Sequence, residues 1–264
     1  MAIYCLTIQY DGSRYNGWQK QGNTPNTIQE KIETVLGRLY GVSVEIAGSG
    51  RTDAGVHALG QTASFHTETA ADSFSCSQIS AYLNQYLPED IRILKTEKKE
   101  DRFHARLLAA YKTYEYHIDT GNIQDVFHRR YSLFLSDYMD FRENPDLSAM
   151  KEAAGYLLGT HDFKSFCDNR RMKKSSVRTL YSIDFVTQGS FLTIRFCGNG
   201  FLYHMVRILT GTLLEVGLHR REPNDMLRIL EGTDRTLSGP CVPPRGLFLA
   251  EVSYTPFSGQ KSCG

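Results

Sequence analysis

A glycine-rich run at residues 48–58 carries the residue types from which a reactive site can be built. It reads Gly-Ser-Gly-Arg-Thr-Asp-Ala-Gly-Val-His-Ala and lies between two segments that are typical of β-strands. Glycine lets the backbone turn sharply and approach a ligand closely. A cation such as Arg51 can hold Asp53 ionised and aimed outward. The run therefore predicts Asp53 as a nucleophile or general base, although an aspartate in such a turn also serves as a turn former.

The sequence argues against several other kinds of site. The glycine-rich run is not a phosphate loop, because no Gly-Lys-Ser or Gly-Lys-Thr follows it. The six cysteines form no Cys-x-x-Cys pair, and no Cys/His spacing is typical of a zinc site. No apolar run approaches the length of roughly 20 residues that spans a membrane. These features predict a cytoplasmic protein with reduced thiols, no metal and no membrane contact.

Positive charge is unevenly distributed along the chain, although the net charge is only +1. A looser basic group over residues 98–112 includes Arg106 and is diluted by acidic residues. Such groups are either solvated faces or surfaces that bind phosphates. The densest group lies within residues 170–178 and consists of Arg170, Arg171, Lys173, Lys174 and Arg178.

Alternating strand and helix patterns run through the first half of the chain. Residues 3–10 alternate apolar and polar side chains, which predicts a strand with one buried face. Residues 27–39 place apolar side chains on one stripe and begin with a capping box of Thr27 and Glu30, so we expect a helix. The remaining predictions here are strands over residues 42–47, 61–66 and 90–96, and a helix over residues 75–87.

The second half repeats this alternation. Asp146 is the predicted cap of a helix, and Gly189 is the predicted turn of a hairpin. The predicted elements are a strand over residues 111–118, a helix over 146–158, hairpin strands over 179–187 and 190–197, helices over 201–216 and 223–231, and a strand over 247–254.

Strands separated by single helices, without the long apolar strands of a doubly wound parallel sheet, predict an α+β fold. The 264 residues suit two sheet-and-helix domains with mainly antiparallel sheets. We predict an N-terminal domain over residues 1–107 that carries the Asp53 loop. A C-terminal domain over residues 108–254 and a tail over residues 255–264 follow.

Four further segments carry polar and aromatic groups with no obvious structural purpose. In chain order they read Tyr-Asp-Gly-Ser-Arg-Tyr-Asn-Gly-Trp-Gln (10–19), Phe-His-Ala-Arg (103–106), Tyr-Lys-Thr-Tyr-Glu-Tyr (111–116) and Phe-Leu-Tyr-His-Met-Val-Arg (201–207).

Together with the glycine-rich run, these segments resemble the tRNA pseudouridine synthase A family. The most specific match is Gly-x-Gly-Arg-Thr-Asp-x-Gly-Val-His-Ala-x-Gly-Gln at residues 48–61, and the resemblance extends over about residues 4–252. It implies isomerisation of uridine to pseudouridine at positions 38, 39 and 40 in the anticodon stem-loop of tRNA. It also implies no metal or organic cofactor, a homodimer, and an active-site cleft between two α+β domains.

The resemblance also implies roles for individual residues. Asp53 is the catalytic residue, and Arg207 pairs with it. Tyr114 lies against the target base, and Arg51 helps to open the stem and contacts RNA.

Four further side chains are predicted to contact RNA. His57 follows a tight loop, so it is expected to hold the loop or contact RNA rather than to transfer protons. Arg106, Lys173 and Lys174 belong to the basic groups and are expected to meet phosphates.

Some alternatives stay open at the level of sequence. Tyr116 shares a strand face with Tyr114 and could equally be the packed member of the pair. Asp53 could attack C1′ of the ribose or remove the C2′ proton to give a glycal. Two other functions remain open: a non-catalytic RNA-binding protein, and a metal-free hydrolase acting on a nucleoside with Asp53 as base.

Overall fold

Both halves of the chain contain strands and helices in the computed structural model. The chain divides into two units, of which the first combines Met1–Ala110 with Phe248–Thr255 and the second combines Tyr111–Leu247 with Pro256–Gly264. Each unit is a mixture of α-helices and mostly antiparallel strands, which confirms this part of the predicted fold class. The structure describes residues 2–67, 74–138, 144–169 and 171–258.

The first unit is built on strands in the order β4-β1-β3-β10, and β2 pairs with a further stretch of β3. All its strand pairs are antiparallel except β3 with β10, where His57 lies opposite Phe248. Its elements are β1 (Ala2–Tyr10), α1 (Ile28–Tyr40), β2 (Ile46–Gly48), β3 (His57–Thr67), α2 (Cys76–Tyr86), β4 (Ile91–Lys99) and the part of β10 (Leu247–Ser253) that follows Leu247.

The second unit has its own strands in the order β5-β9-β8-β7, all antiparallel, with β6 parallel to β5. Its elements are β5 (Tyr111–Asp119), β6 (Leu133–Phe134), α3 (Leu135–Tyr138), α4 (Leu147–Leu157), β7 (Gly159–Asp162), β8 (Val177–Gln188), β9 (Phe191–Gly198), α5 (Met205–Gly217) and α6 (Asp225–Gly232).

These units differ from the sequence-based domains in the placement of one strand. Residues 248–254 were assigned to the C-terminal domain, whereas the structure joins them to the first unit. The reason is the parallel pairing of β10 with β3, a contact between distant parts of the sequence that local patterns do not reveal. The division of the chain into two domains stays a prediction.

Strand β1 is more buried than its alternating pattern predicts. Tyr4 and Leu6 lie on the expected inner face, but Ile3 and Cys5 on the other face are only 4% exposed. The strand lies between β3 and β4. The prediction of a half-buried strand therefore holds only in the second half of β1, where Thr7 is partly exposed and Gln9 is exposed. The first half is covered on both faces, as a central strand can be.

Helix α1 follows its sequence signals closely. The Thr27 side chain accepts a hydrogen bond from the Glu30 backbone N–H, and the helix ends at Gly41, whose φ is +71°. A left-handed residue at this position is a common helix end that glycine adopts without strain.

Helix α5 begins later than the predicted residue 201. His204 has φ +62° and precedes the first helical residue, Met205. A left-handed residue cannot continue a right-handed helix, so residues 201–204 lead into the helix instead of forming its first turn.

Candidate active site

The loop that carries Asp53 connects β2 to β3. The Val56 N–H donates to the Asp53 carbonyl over 3.1 Å and closes a tight turn, in which Gly55 has φ +77°. Asp53 is partly exposed and Arg51 is exposed. In contrast, Thr52 and Val56 are only 6% and 1% exposed. The turn therefore buries Thr52 and Val56 and leaves Asp53 partly exposed.

The segment over residues 10–18 holds the loop at Thr52. The Trp18 N–H donates to the Thr52 carbonyl over 3.0 Å, and the Tyr10 hydroxyl lies 2.7 Å from Thr52 Oγ1. Burial raises the pKa of Tyr10, so its hydroxyl keeps its proton for this contact. Because both groups of Thr52 are held, the position of the next residue, Asp53, is fixed by its backbone.

Two glycines allow this close packing. A Cβ atom on Gly17 would lie 2.8 Å from the Thr52 carbonyl oxygen, and its φ of +89° strains any other residue. A Cβ atom on Gly48 would lie 2.5 Å from Nε1 of Trp18, which is 2% exposed. Gly17 and Gly48 therefore serve contact between the 10–19 and 48–58 segments.

Gln61 closes the other side of the loop, and sequence analysis assigned it no role. Its Oε1 accepts from Ser49 Oγ over 2.7 Å, and its Nε2 donates to the Gly50 carbonyl over 3.0 Å. Ser49 and Gln61 are fully buried. The clue in the sequence was an amide thirteen residues beyond the first glycine of the motif, but its use for holding the loop requires the strand pairing of β2 with β3.

His57 is buried at the first position of β3 and is 1% exposed. Its Nδ1 accepts from the Gly12 N–H over 3.1 Å and lies 3.1 Å from Asp11 Oδ1. Its ring stacks on Phe248 with 4.7 Å between centroids. Of the two roles that the sequence left open, this burial favours holding the loop over contacting RNA.

Arg106 lies on a segment that is anchored to the first unit. The Ala105 N–H donates to Ser64 Oγ over 3.1 Å, and the Tyr254 hydroxyl donates to the Ala105 carbonyl over 3.0 Å. The Arg106 N–H donates to Nδ1 of His104. The Arg106 side chain is exposed. An anchored backbone with an exposed arginine is suited to bind a phosphate.

In the second unit, β5 carries the two tyrosines that the sequence could not separate. Tyr116 is fully buried, and its hydroxyl donates to the Pro243 carbonyl over 2.7 Å. Burial raises its pKa well above the ordinary value. Tyr114 is 7% exposed, with its ring edge-to-face against Phe201 at 5.0 Å. Both tyrosines are therefore packed, and Tyr116 is the one whose hydroxyl is bound to the backbone of residue 243.

Glu115, between the two tyrosines, is neutralised within the second unit. Its carboxylate lies 3.2 Å from His117 Nε2 and 2.6 Å from Arg195 Nη2. The hydrogen bond with His117 and the ion pair with Arg195 lower its pKa against the effect of partial burial. Arg195 is its direct partner across β5 and β9. The negative charge in the Tyr-x-Tyr pair is thus used by the sheet.

Arg207 is partly exposed in the first turn of α5. Its Nε donates to the Val242 carbonyl over 2.7 Å, and the Val242 N–H donates back to the Arg207 carbonyl over 3.4 Å. Its positive charge lowers the pKa of Tyr116, although burial dominates there. Arg207 is therefore held by the 240–243 segment and lies near Tyr116 of β5.

The start of α5 is fixed by an ionic cluster. His204 Nδ1 lies 2.6 Å from Asp168 Oδ2, and Arg235 Nε lies 2.7 Å from Asp168 Oδ1. Burial opposes ionisation of Asp168, but the hydrogen bonds from His204 and Arg235 keep its pKa below the ordinary value. Ligand atoms of Asp168, His204 and Cys241 lie within 4.8 Å of one another. Since Arg235 and His204 both bind Asp168, we interpret the cluster as an anchor for the helix.

The basic segment ahead of β8 presents Lys173 and Lys174, which are exposed. Arg178 is used differently, because its Nη1 donates to the Ser175 and Val177 carbonyls over 2.9 and 2.6 Å. Partial burial also lowers the pKa of Arg178. Arg170 lies outside the described residues.

The predicted site residues are divided between the two units. Arg51, Asp53, His57 and Arg106 belong to the first unit, where Arg51 and Asp53 lie on the loop between β2 and β3 and His57 begins β3. Tyr114, Lys173, Lys174 and Arg207 belong to the second unit.

Helices in the described part of the chain are too short or too polar to cross a membrane.

Comparison with known proteins gives matches along most of the chain. The profile of a family described as tRNA pseudouridine synthase matches residues 6–107 and 153–255, which include every predicted site residue except Tyr114. A solved structure, "Crystal Structure of a Cbf5-Nop10-Gar1 Complex", aligns over 80% of this chain and 45% of its own with a TM-score of 0.37 and 11% identity. A likeness at that score carries no argument about this fold.

Curated relatives match at much higher identity. The tRNA pseudouridine synthase A of Bacillus sp. (strain KSM-64) is 45% identical over 96% of this chain and 100% of its own length. The tRNA pseudouridine synthase A 2 of Bacillus cereus (strain ZK / E33L) is 43% identical over the same shares. That of Clostridium tetani (strain Massachusetts / E88) is 41% identical over 94% of this chain and 97% of its own. The predicted family is confirmed: the chain belongs to the tRNA pseudouridine synthase family.

Proposed function

We propose that this protein isomerises uridine to pseudouridine at positions 38, 39 and 40 in the anticodon stem-loop of tRNA, with Asp53 as the reacting carboxylate. The names of its relatives support the reaction and the tRNA substrate. The choice of positions rests on the resemblance of the sequence motifs to the family.

One observation carries the assignment of Asp53. The backbone carbonyl of Asp53 closes the turn with Val56, and the carbonyl and the hydroxyl of Thr52 are held by the 10–18 segment. The backbone of Asp53 is therefore fixed while the residue itself is partly exposed. A carboxylate on a fixed backbone next to buried residues has the pre-organisation that catalysis requires.

The reaction is balanced within the nucleotide. The bond between N1 of uracil and C1′ of ribose breaks, the base turns, and a bond between C5 and C1′ forms. A proton leaves C5 and a proton is gained at N1, so no electrons are exchanged with another reactant. Asp53 can act either by attacking C1′ or by removing the C2′ proton.

Other residues supply binding and positioning in this proposal. Tyr114 offers a flat surface for the extruded base, and Arg207 keeps the Asp53 carboxylate ionised by pairing with it. Arg51, Arg106, Lys173 and Lys174 bind RNA phosphates, whose contacts fix register without reading base identity. His57 holds the Asp53 loop. The cleft between domains, the homodimer and the cytoplasmic location stay predictions.

The central test uses unmodified tRNA with uridine at positions 38–40. We expect the unaltered protein to form pseudouridine and Asp53→Asn to form none, because the amide can neither attack carbon nor accept a proton. Asp101→Asn, which changes an exposed carboxylate in another turn, is the matched control and should keep full activity.

Equal product from Asp53→Asn and the unaltered protein would contradict the role of Asp53. Tight tRNA binding without any product from the unaltered protein would instead favour a non-catalytic RNA-binding protein. Product from free uridine at a rate similar to that from tRNA would favour a nucleoside enzyme.

A further inference from the structure

A chain of hydrogen bonds links a buried carboxylate to the exposed guanidinium of Arg51. Gln29 Nε2 donates to Glu33 Oε1 over 2.8 Å, and Gln19 Nε2 donates to Gln29 Oε1 over 2.8 Å. Arg51 Nε then donates to Gln19 Oε1 over 3.1 Å. Glu33 and Gln29 lie on α1 and are 8% and 9% exposed. The chain thus runs from inside the first unit to the loop that carries Asp53.

Backbone groups fix the direction of every link. The Ile46 N–H donates to Glu33 Oε1 and the Lys20 N–H donates to Gln29 Oε1, each over 3.0 Å. The second contact identifies the oxygen of the Gln29 amide, so its nitrogen faces Glu33. Gln19 must then donate to the Gln29 oxygen, which turns its own oxygen toward Arg51, a residue with donors only.

The carboxylate of Glu33 accepts hydrogen bonds at the inner end of the chain, which keeps this order from reversing. A buried carboxylate requires several donors, and Glu33 receives them from Gln29 and Ile46, with Lys20 Nζ at 3.4 Å from Oε2. Charge-assisted hydrogen bonds are stronger than neutral ones. If these hydrogen bonds served only to join α1 to Ile46, the contact between Glu33 and Ile46 would be enough. Gln19 and the exposed arginine would not be needed.

We propose that Glu33, Gln29 and Gln19 are positioning residues that hold Arg51 in one orientation beside Asp53 for binding an RNA phosphate. Arg51 Nε is used by Gln19, and the two terminal nitrogens of the guanidinium can form a bidentate contact with a phosphate. An arginine that is already oriented loses less conformational freedom when it binds. The inference rests on the proposed function, because the RNA partner of Arg51 belongs to that proposal.

The first experiment measures the order of Arg51 without RNA or activity. The Nε–H resonance of Arg51 is identified by its loss in Arg51→Lys, and its hydrogen exchange is measured in the full chain. We expect exchange to become about tenfold faster or more in Gln19→Ala, Gln29→Met and Glu33→Gln. Glu30→Gln is the matched control. Glu30 also lies on α1 and pairs with Lys20, but it is outside the chain of hydrogen bonds from Glu33 to Arg51.

The second experiment separates binding from chemistry. We expect Arg51→Ala, Glu33→Gln and Gln29→Met each to raise KM for tRNA about tenfold, with a smaller change in kcat. In the Arg51→Ala background the same substitutions should have no further effect, because their action passes through Arg51. Gln19→Ala, at the partly exposed end, keeps the test valid if a substitution at a buried position prevents folding.

Unchanged hydrogen exchange of the Arg51 Nε–H in Gln19→Ala would contradict the proposal that the hydrogen-bond chain orients Arg51. Additive effects of Glu33→Gln and Arg51→Ala would overturn its action through Arg51, and so would an unchanged KM in Arg51→Ala. Failure of the proposed function is seen separately, as pseudouridine formation by Asp53→Asn.

Discussion

At the scale of single residues, the position of Asp53 depends on neighbours that carry no reactive group. Thr52 is held through both its carbonyl and its hydroxyl, and Gly17 leaves the space for that contact. The chemistry assigned to one carboxylate therefore rests on the absence of a side chain at another position.

We expect Gly17→Ala to lower both stability and activity. The added methyl group would lie 2.8 Å from the Thr52 oxygen at a backbone φ of +89°, so the loop must shift. Overpacking of this kind costs about 1–3 kcal/mol of unfolding free energy, and the displaced aspartate should lower kcat. Urea unfolding and pseudouridine formation at saturating tRNA measure the two effects.

Gly22→Ala is the control, because no atom lies within 4 Å of the added methyl group and its φ is not positive. Its unfolding free energy should change by less than about 0.5 kcal/mol. Similar behaviour of the two variants would show that the contact with Thr52 does not constrain the loop.

The sequence suggests candidate residues for chemistry more readily than it suggests the residues that support them. Asp53 and Arg51 stand in a recognisable run, and their residue types suggest a reaction by themselves. Gln19, Gln29 and Gln61 are ordinary amides in sequence. Their roles depend on contacts between segments 10 or more positions apart, which no local pattern contains.

At the scale of elements, helix α5 shows how a start signal was misread. The apolar pattern extends back to residue 201, but His204 has a left-handed backbone, so the helix begins only at Met205. Asp168 binds His204, and Arg235 in turn binds Asp168. Both partners are distant from His204 in the sequence. Helices α1 and α2 were easier, because Thr27 and Ser75 cap them with their own side chains. The short strand β7 was missed, because four residues carry too little pattern.

We expect His204→Ala to destabilise the protein more than His204→Asn. Alanine in the left-handed region costs about 1–2 kcal/mol and loses the contact with Asp168. Asparagine tolerates that region and can donate to the same carboxylate. Urea unfolding of both variants gives the comparison, and an alanine variant as stable as the asparagine variant would contradict the role of the left-handed backbone.

At the scale of the whole molecule, the net charge is only +1, so attraction to a polyanion depends on local groups of basic side chains. Lys173 and Lys174 are exposed, whereas Arg178 is held by backbone carbonyls. If the protein binds a polyanion, these two lysines are suited to meet its phosphates, and their contribution should depend on salt.

We expect Lys173→Glu combined with Lys174→Glu to weaken tRNA binding most strongly at low salt. Each lost phosphate contact should reduce the slope of log affinity against log salt by about 0.7–0.9. Titration of labelled tRNA at several salt concentrations measures the slope. Lys31→Glu with Lys151→Glu gives the same change in net charge elsewhere, and equal slopes in the two double variants would remove Lys173 and Lys174 from the interface.

Strand β10 has a consequence for synthesis on the ribosome. His57 and Ala58, at the start of β3, take Phe248 and Leu249 as partners, so the edge of the strand next to the Asp53 loop stays open until those two residues have been translated. A growing chain that still lacks those residues has no ring to stack on His57. The Asp53 loop should therefore reach its final packing only after Phe248 and Leu249 have been synthesised, which delays any capture of tRNA by shorter, unfinished chains.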